Sequence, residues 1–250
     1  MTSPHPLSER ELIFSWQPVG ALVDLDNTLY DYWGAAARAL ERFAAEMAED
    51  FGVDAAEVCI RYRALPMLPE YEQIRSGMAL RRIRFGRLLA SFPQCHGADV
   101  DQYVERYGTC LLDEIEWFDG ARAALMALAQ RLPVLIVTES REDIARPIMS
   151  ALGLGDDWRL LCSYAHSVTK RDGGTFRLAL EWMGLPANKV AMIGDSWEMD
   201  ILGAAQAGIR QVWQADEAVP LPEAPPAGFI GRADSFAVAC RLLFPGMGKL

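Results

Sequence analysis

Apolar positions along this chain fall into two rhythms. Three short runs are continuously apolar and each stops at a polar residue: Val19-Gly20-Ala21-Leu22-Val23 before Asp24, Pro133-Val134-Leu135-Ile136-Val137 before Thr138, and Val190-Ala191-Met192-Ile193-Gly194 before Asp195. Runs of that length without alternation predict strands shielded on both faces, as in a parallel sheet. A weaker strand is expected at 159–163 and another short one around Val212. Helical spacing at 120–131, 141–152, 175–183 and 197–207 separates the strands, and 234–243 predicts a closing helix. Alternation of this kind indicates an α/β fold.

Between the first two strands the rhythm changes to steps of three and four. Trp33, Leu40, Phe43, Met47 and Phe51 form one stripe, with Gly52 placed to end the helix. A short helix is expected from Asp54 toward Ala64, halted by Pro66 and Pro69, and a longer one from Tyr71 to Phe92. Val100, Tyr103, Val104, Tyr107 and Leu111 mark a fourth. The chain therefore divides into an α/β core, 1–30 with 116–250, and an all-α insertion at 31–115 that suggests a cap over the strand ends. Residues 1–18 read as a polar surface arm.

Composition narrows the function classes. A chain of 250 residues with 51% hydrophobic and 23% charged side chains has the make-up of a folded soluble protein with a sizeable core. A net charge of −10 argues against nucleic-acid partners, which require a basic face, but leaves room for a small anionic ligand in one cationic pocket. No apolar run approaches the roughly 20 residues of a membrane-spanning helix, and the N-terminus lacks the order of a secretory signal. The five cysteines are odd in number, scattered and without metal-site or redox spacing, as expected of buried thiols in a reducing cytoplasm.

In open α/β sheets ligands bind beyond the carboxyl ends of the strands, and the polar residues gather at those ends. Asp24-Leu25-Asp26-Asn27-Thr28 places two carboxylates two residues apart after a strand, which suits a nucleophile and a general acid and equally suits a polar strand end. Gly194-Asp195-Ser196-Trp197-Glu198-Met199-Asp200 offers hard oxygen ligands for Mg²⁺, or a helix cap. Lys170, one of three lysines, is able to contact a phosphoryl oxygen or to be a solvated loop lysine, and the Thr138 hydroxyl is able to bind phosphate or to cap the next helix.

Taken together and in this order, Asp-x-Asp-x-Thr, a strand ending in Thr, a lone Lys and Gly-Asp-x-x-x-x-Asp resemble the haloacid dehalogenase-like (HAD) hydrolase superfamily over about residues 19–244. The resemblance implies a Rossmann-like parallel sheet with a helical cap inserted after the first motif. It also implies a phosphohydrolase in which Asp24 is the nucleophile forming an aspartyl-phosphate and Asp26 the general acid and base. Thr138 and Lys170 would hold the phosphoryl group. Mg²⁺ would be held by Asp24, the backbone carbonyl of Asp26 and Asp195, with Asp200 supporting them. The implied substrate is a small phosphorylated metabolite, with a faint nucleotidase flavour in Asp-Leu-Asp-Asn-Thr-Leu-Tyr. A phosphotransferase such as a phosphosugar mutase shares these motifs, and a catalytically silent metabolite-binding protein would be expected to lack one of them. Dehalogenases of the superfamily lack a carboxylate at the Asp26 position, because halide leaves without a proton.

Two segments depart from the family pattern. Lys170-Arg171-Asp172-Gly173-Gly174 has paired glycines where Lys-Pro is common, which implies a looser loop. Thr138-Glu139-Ser140 adds a carboxylate beside the expected phosphate, so Glu139 is expected to turn away or pair with Arg141 or Arg146. In the insertion, Arg75, Arg81, Arg82, Arg84 and Arg87 form either a solvated helix face or a source of one or two inward charges for a second anionic group. Tyr30, Tyr32 and Trp33 either stack on a substrate ring or pack the hinge of the cap.

Overall fold

The computed structural model describes residues 16–244. Most of the expected N-terminal arm lies outside the described residues; at its end, the Trp16 indole donates to the Asn188 carbonyl and the Arg210 guanidinium stacks over its ring.

Six strands, β1 (Gly20–Asp24), β2 (Val134–Thr138), β3 (Leu160–Cys162), β4 (Val190–Gly194), β5 (Arg210–Gln214) and β6 (Phe229–Ala233), form one sheet in the order β3-β2-β1-β4-β5-β6. Every pairing is parallel. β1 and β4 are buried along their whole length, which is why their sequences read as unbroken apolar runs. β6 has no counterpart in the sequence reading. Its Phe-Ile-Gly-Arg-Ala sequence follows a proline-rich stretch, lies at the sheet edge only partly buried, and joins β5 through an irregularity at Gln211/Val212.

The chain lays β2 and β3 on one side of β1, then crosses to place β4 on the other. This reversal opens a crevice between the ends of β1 and β4, the place where such sheets receive ligands. The register sets Val23 beside Ile193 and Asp24 beside Val137, so Asp24 and the residues just past β4 project from one edge.

The segment between β1 and β2 is helical: α1 (Tyr32–Phe51), α2 (Ala55–Ala64), α3 (Gly77–Ala90) and α4 (Val100–Asp113). Leu40, Phe43 and Met47 are buried as the stripe requires, but Trp33 is 71% exposed and does not belong to it. Phe43 meets Phe85 and Tyr107 edge to face and those two rings pack tilted on each other, with centroids 5.0–5.9 Å apart, fastening α1, α3 and α4 together. The single helix expected over 71–92 is broken. A 3-10 turn at Pro69–Gln73 ends at Ile74, and α3 starts afresh at Ser76, whose hydroxyl accepts from the Ala79 N–H. Arg75 therefore lies in a loop, off the helix that carries the other four arginines.

After α5 (Ala121–Ala129) and β2, helix α6 (Glu142–Ala151) leads to β3 and the short α7 (Ser163–His166), and α8 (Gly174–Met183) leads to β4. The α-helix expected at 197–207 is instead a π-helical turn, Trp197–Leu202, followed by the short α9 (Gly203–Gln206). The Ser196 carbonyl there accepts from both Asp200 and Ile201. Asp200 lies buried within this widened turn, a kind of irregularity that recurs at functional sites. Helix α10 (Phe236–Leu243) closes the chain against β5 and β6. Among the described residues no helix is long and apolar enough to cross a membrane, and all five cysteines are buried and free.

Candidate active site

Asp24 ends β1 with 6% of its surface exposed. One of its oxygens, Oδ2, accepts from the Thr28 hydroxyl at 2.9 Å, while Oδ1 receives the Lys170 ammonium. The chain can reverse to bring Thr28 back because Asn27 adopts a left-handed backbone (φ 59°), a conformation asparagine tolerates better than most residues. The Thr28 hydroxyl also lies 3.3 Å from Asp195 Oδ1, so it ties the first strand end to the fourth.

Asp195 leaves β4, and its carbonyl accepts from the Trp213 indole at 2.8 Å. Asp200, almost fully buried, accepts from Lys170 Nζ at 2.7 Å on Oδ1 and from the Ser196 backbone N–H at 3.0 Å on Oδ2. Its place against β4 requires Gly194: a Cβ there would sit 2.3 Å from the Asp200 carboxyl carbon. Oxygens of Asp24, Asp195 and Asp200 lie within 4.8 Å of one another.

Lys170 is 2% exposed and bridges Asp24 and Asp200. Burial opposes its charge, but the two carboxylates outweigh that effect and hold the ammonium protonated. The loop carrying it is not loose. The Lys170 carbonyl accepts from the Gly173 N–H at 3.0 Å, the Asp172 carboxylate accepts from the Gly174 N–H at 2.8 Å, and the Arg171 carbonyl accepts from the Gln206 amide at 2.8 Å. Gly173 is needed because the loop turns through φ 74° there. Glu139 provides the remaining anchor: it pairs with neither Arg141 nor Arg146 but accepts from the Lys170 backbone N–H at 2.6 Å. The carboxylate that departs from the family pattern thus fixes the loop whose proline is missing.

Asp26 stands beside this cluster. Its Oδ1 accepts from the Tyr30 hydroxyl and its Oδ2 from the Ser140 hydroxyl at 2.5 Å, with Thr138 Oγ1 at 3.4 Å from the same oxygen. Thr138, buried at the end of β2, accepts in turn from the Ser140 N–H at 2.9 Å. Burial first, and then the Asp24 charge, push the Asp26 carboxyl above the usual carboxylate range. Asp195 and Asp200 are likewise pushed up, mainly by burial and with Asp24 adding to it. Carboxyls crowded in this way disfavour one another's charge, which a cation among them would offset.

All six residues singled out from sequence therefore converge on one strand edge. Sequence reasoning gave no role to Thr28, Tyr30 or Ser140 as partners of the carboxylates. Thr28 and Ser140 lie within the Asp-x-Asp-x-Thr and Thr-Glu-Ser segments, so a signal existed; nothing in the sequence distinguished the Tyr30 hydroxyl from ordinary aromatic packing.

A cavity of about 610 Å³, within the range of small-molecule sites, is lined by sequence neighbours of the cluster and by none of its six residues. Glu139, Thr169, Arg171 and Met199, each the immediate neighbour of a cluster residue, line it on the core side, and Glu72 and Arg75 line it from the insertion. Arg75 donates to the Ser167 hydroxyl at 2.7 Å, and Arg141 donates to the carbonyls of Ile74 and Tyr71, so the loop before α3 is fastened across the cavity. Asp143 adds to this by accepting from Ser76 and from the Gly77 and Met78 N–H groups. Of the other arginines, Arg82 pairs with Asp101 at the surface, and Arg84 and Arg87 stack on Tyr62 and Tyr71.

Comparison with known proteins bears on the same region. Residues 20–208 match the family described as haloacid dehalogenase-like hydrolase. A phosphoserine phosphatase of Thermus thermophilus is 35% identical over 93 residues, 36% of this chain and 37% of that protein. A phosphoglycolate phosphatase of Chromobacterium violaceum is 31% identical over 112 residues, 44% of this chain and 50% of that protein. The chain thus spans between a third and a half of the length of these curated relatives. Among solved structures, a 2-haloacid dehalogenase of Pseudomonas syringae superposes with a TM-score of 0.63 at 26% identity, over 90% of this chain and 97% of that one.

Proposed function

Because the chain belongs to the haloacid dehalogenase-like hydrolases, we propose that it is a magnesium-dependent phosphomonoester hydrolase acting on a small phosphorylated metabolite through an aspartyl-phosphate on Asp24. The observation that carries this reading is the grouping of Asp24, Asp195 and Asp200 around Lys170, with a second carboxyl, Asp26, held beside the nucleophile. The names of the two curated relatives, both phosphatases, agree with it.

The donor set fits Mg²⁺, which prefers hard oxygens and few protein carboxylates. Asp24, Asp195 and the Asp26 carbonyl would hold it. Asp200, which lies with them in the same acidic group and is held by Lys170 and the Ser196 N–H, would support them from behind. When bound, the ion neutralises charge on the nucleophile and the transferring phosphoryl group.

Asp24 attacks phosphorus, forming an oxygen–phosphorus bond as the bond to the leaving oxygen breaks. Asp26, whose raised affinity for a proton suits it to the task, delivers that proton to the leaving oxygen. The Asp26 carboxylate then takes a proton from the water that attacks the aspartyl-phosphate, which releases phosphate and restores Asp24. Thr138 and Lys170 position the phosphoryl oxygens. The insertion at 31–115 acts as a cap, and the cavity beneath it takes the leaving group. The likeness to a dehalogenase concerns the shared architecture; the carboxyl of Asp26 favours an ester that must be protonated to depart. We place the reaction in the cytoplasm, in keeping with the free thiols.

Asp24→Asn tests the reading. It should abolish Mg²⁺-dependent release of phosphate from an aryl phosphate while the variant unfolds at a temperature close to that of the parent. Near-normal turnover by Asp24→Asn would refute the nucleophile.

A further inference from the structure

We propose that Tyr30 and Ser140 are positioning residues that fix the orientation of the Asp26 carboxyl and assign its transferable proton to Oδ2. This inference rests on the phosphohydrolase reading and adds to it the atom that carries the proton.

The two hydroxyls grip Asp26 from opposite elements. Tyr30 belongs to the turn after β1, where its backbone forms isolated bridges with Asp26 and Trp117, and its side chain is wholly buried. Ser140 belongs to the segment between β2 and α6 and is fixed through its N–H to Thr138. Each takes a different oxygen, so the carboxyl plane is pinned at both corners.

The two contacts are not equivalent. Among the described residues, Asp26 Oδ1 is the acceptor for the Tyr30 hydroxyl. A tyrosine phenol keeps its hydrogen at physiological pH, and this one is wholly buried with Oδ1 as its acceptor, so it acts as a standing donor. Were the Asp26 proton placed on Oδ1, both groups would present hydrogens to each other and the phenol would lose its acceptor inside the core, which is costly. At Oδ2 the partners are the Ser140 hydroxyl, which is not sealed in the core as Tyr30 is, and, at a longer 3.4 Å, the Thr138 hydroxyl. The Ser140 hydroxyl is half-buried, rotates freely and is able to turn from donor to acceptor when Oδ2 is protonated. Oδ2 is also the oxygen on the Thr138 side, where the phosphoryl group is proposed to bind. As the phosphorus–oxygen bond breaks, the leaving oxygen takes the proton from Oδ2, and the resulting carboxylate keeps the Tyr30 bond on Oδ1 throughout.

General acid catalysis is needed in proportion to how poor the leaving group is. The test compares kcat/KM, which is set by the steps up to leaving-group departure, for an alkyl phosphate and for p-nitrophenyl phosphate. In Tyr30→Phe the alkyl phosphate should lose roughly tenfold or more, a fraction of what positioned acids contribute, while p-nitrophenyl phosphate loses less than about threefold. Ser140→Ala should show the same selectivity, and it serves should Tyr30→Phe fail to fold. Equal losses on both substrates, or no loss, would overturn the proposal, because a merely structural role does not sense the leaving group. A parent protein inactive on both esters would refute the phosphohydrolase reading itself, and active parent protein with unselective variants refutes the positioning role alone.

Discussion

Lys170→Met is the most direct probe of how the acidic cluster is held together. Methionine keeps the length and apolar stem of lysine but removes the ammonium that bridges Asp24 and Asp200 in a site almost closed to solvent. Three carboxylates with oxygens within 4.8 Å of one another then lose their one neighbouring cation among the described residues. Breaking a buried charge network by deleting one partner typically costs about 3–5 kcal/mol. For a chain of this size each kcal/mol corresponds to roughly 2–4 °C in Tm, so the variant should melt roughly 6 to 20 °C below the parent in a chelating buffer. Because the proposed ion occupies the same acidic centre, Mg²⁺ should narrow the gap. A ligand at one hundred times its Kd adds about 2.7 kcal/mol to whichever form binds it, and the uncompensated variant should bind it more tightly. The assay is thermal or urea unfolding of both proteins with Mg²⁺ and with EDTA. A difference in EDTA below about 0.5 kcal/mol, the scale of an ordinary surface substitution, would refute the claim that Lys170 neutralises the cluster. A gap indifferent to Mg²⁺ would refute the shared centre.

Two further substitutions separate the metal from the scaffold. Asp195→Asn should weaken Mg²⁺ binding in a calorimetric titration with little loss of stability, since the Thr28 and Trp213 contacts to residue 195 survive the change; an unaltered titration would remove Asp195 from the ligand set. Gly194→Ala would place a methyl group 2.3 Å from the Asp200 carboxyl carbon and force it off the Lys170 and Ser196 contacts. A loss of about 1–3 kcal/mol, together with weaker Mg²⁺ binding, is expected in denaturant titration, and a variant as stable as the parent would show that Asp200 moves freely.

The parts of the architecture legible from sequence were those whose burial leaves a mark in composition. β1, β2 and β4 are shielded on both faces, so nearly every residue in them is apolar and their polar ends stand out. β6 is an edge strand half open to solvent and carries Gly231 and Arg232 in its middle, so it has no such mark. Helix periodicity located α1 and α4 but ran on through 71–92, because Tyr71 is buried as part of a 3-10 turn and mimics the stripe of the helix beyond it. The π turn at Trp197–Leu202 was invisible for a similar reason: its composition is helical, and only the pull of Asp200 toward Lys170 and the Ser196 N–H distinguishes it.

The site divides along the same physical line. Asp24, Asp195 and Lys170 were each ambiguous alone, as polar strand ends or a loop lysine, and became legible only through their joint order along the chain. The groups that hold them are hydroxyls, carbonyls and amides, which are common everywhere and acquire meaning through placement. Asp26 illustrates the consequence. Its carboxyl is partly buried beside Asp24, which raises the free energy of its charged form, and a scaffold shared with a 2-haloacid dehalogenase does not by itself require it. Two hydroxyls from separate loops nevertheless converge on its two oxygens. An unfavourable carboxyl kept in place by dedicated partners is what the proposed reaction calls for, since that reaction needs a proton at that point and then needs it removed. Hydrolysis of a phosphate ester has both requirements, and expulsion of halide has neither at the leaving atom.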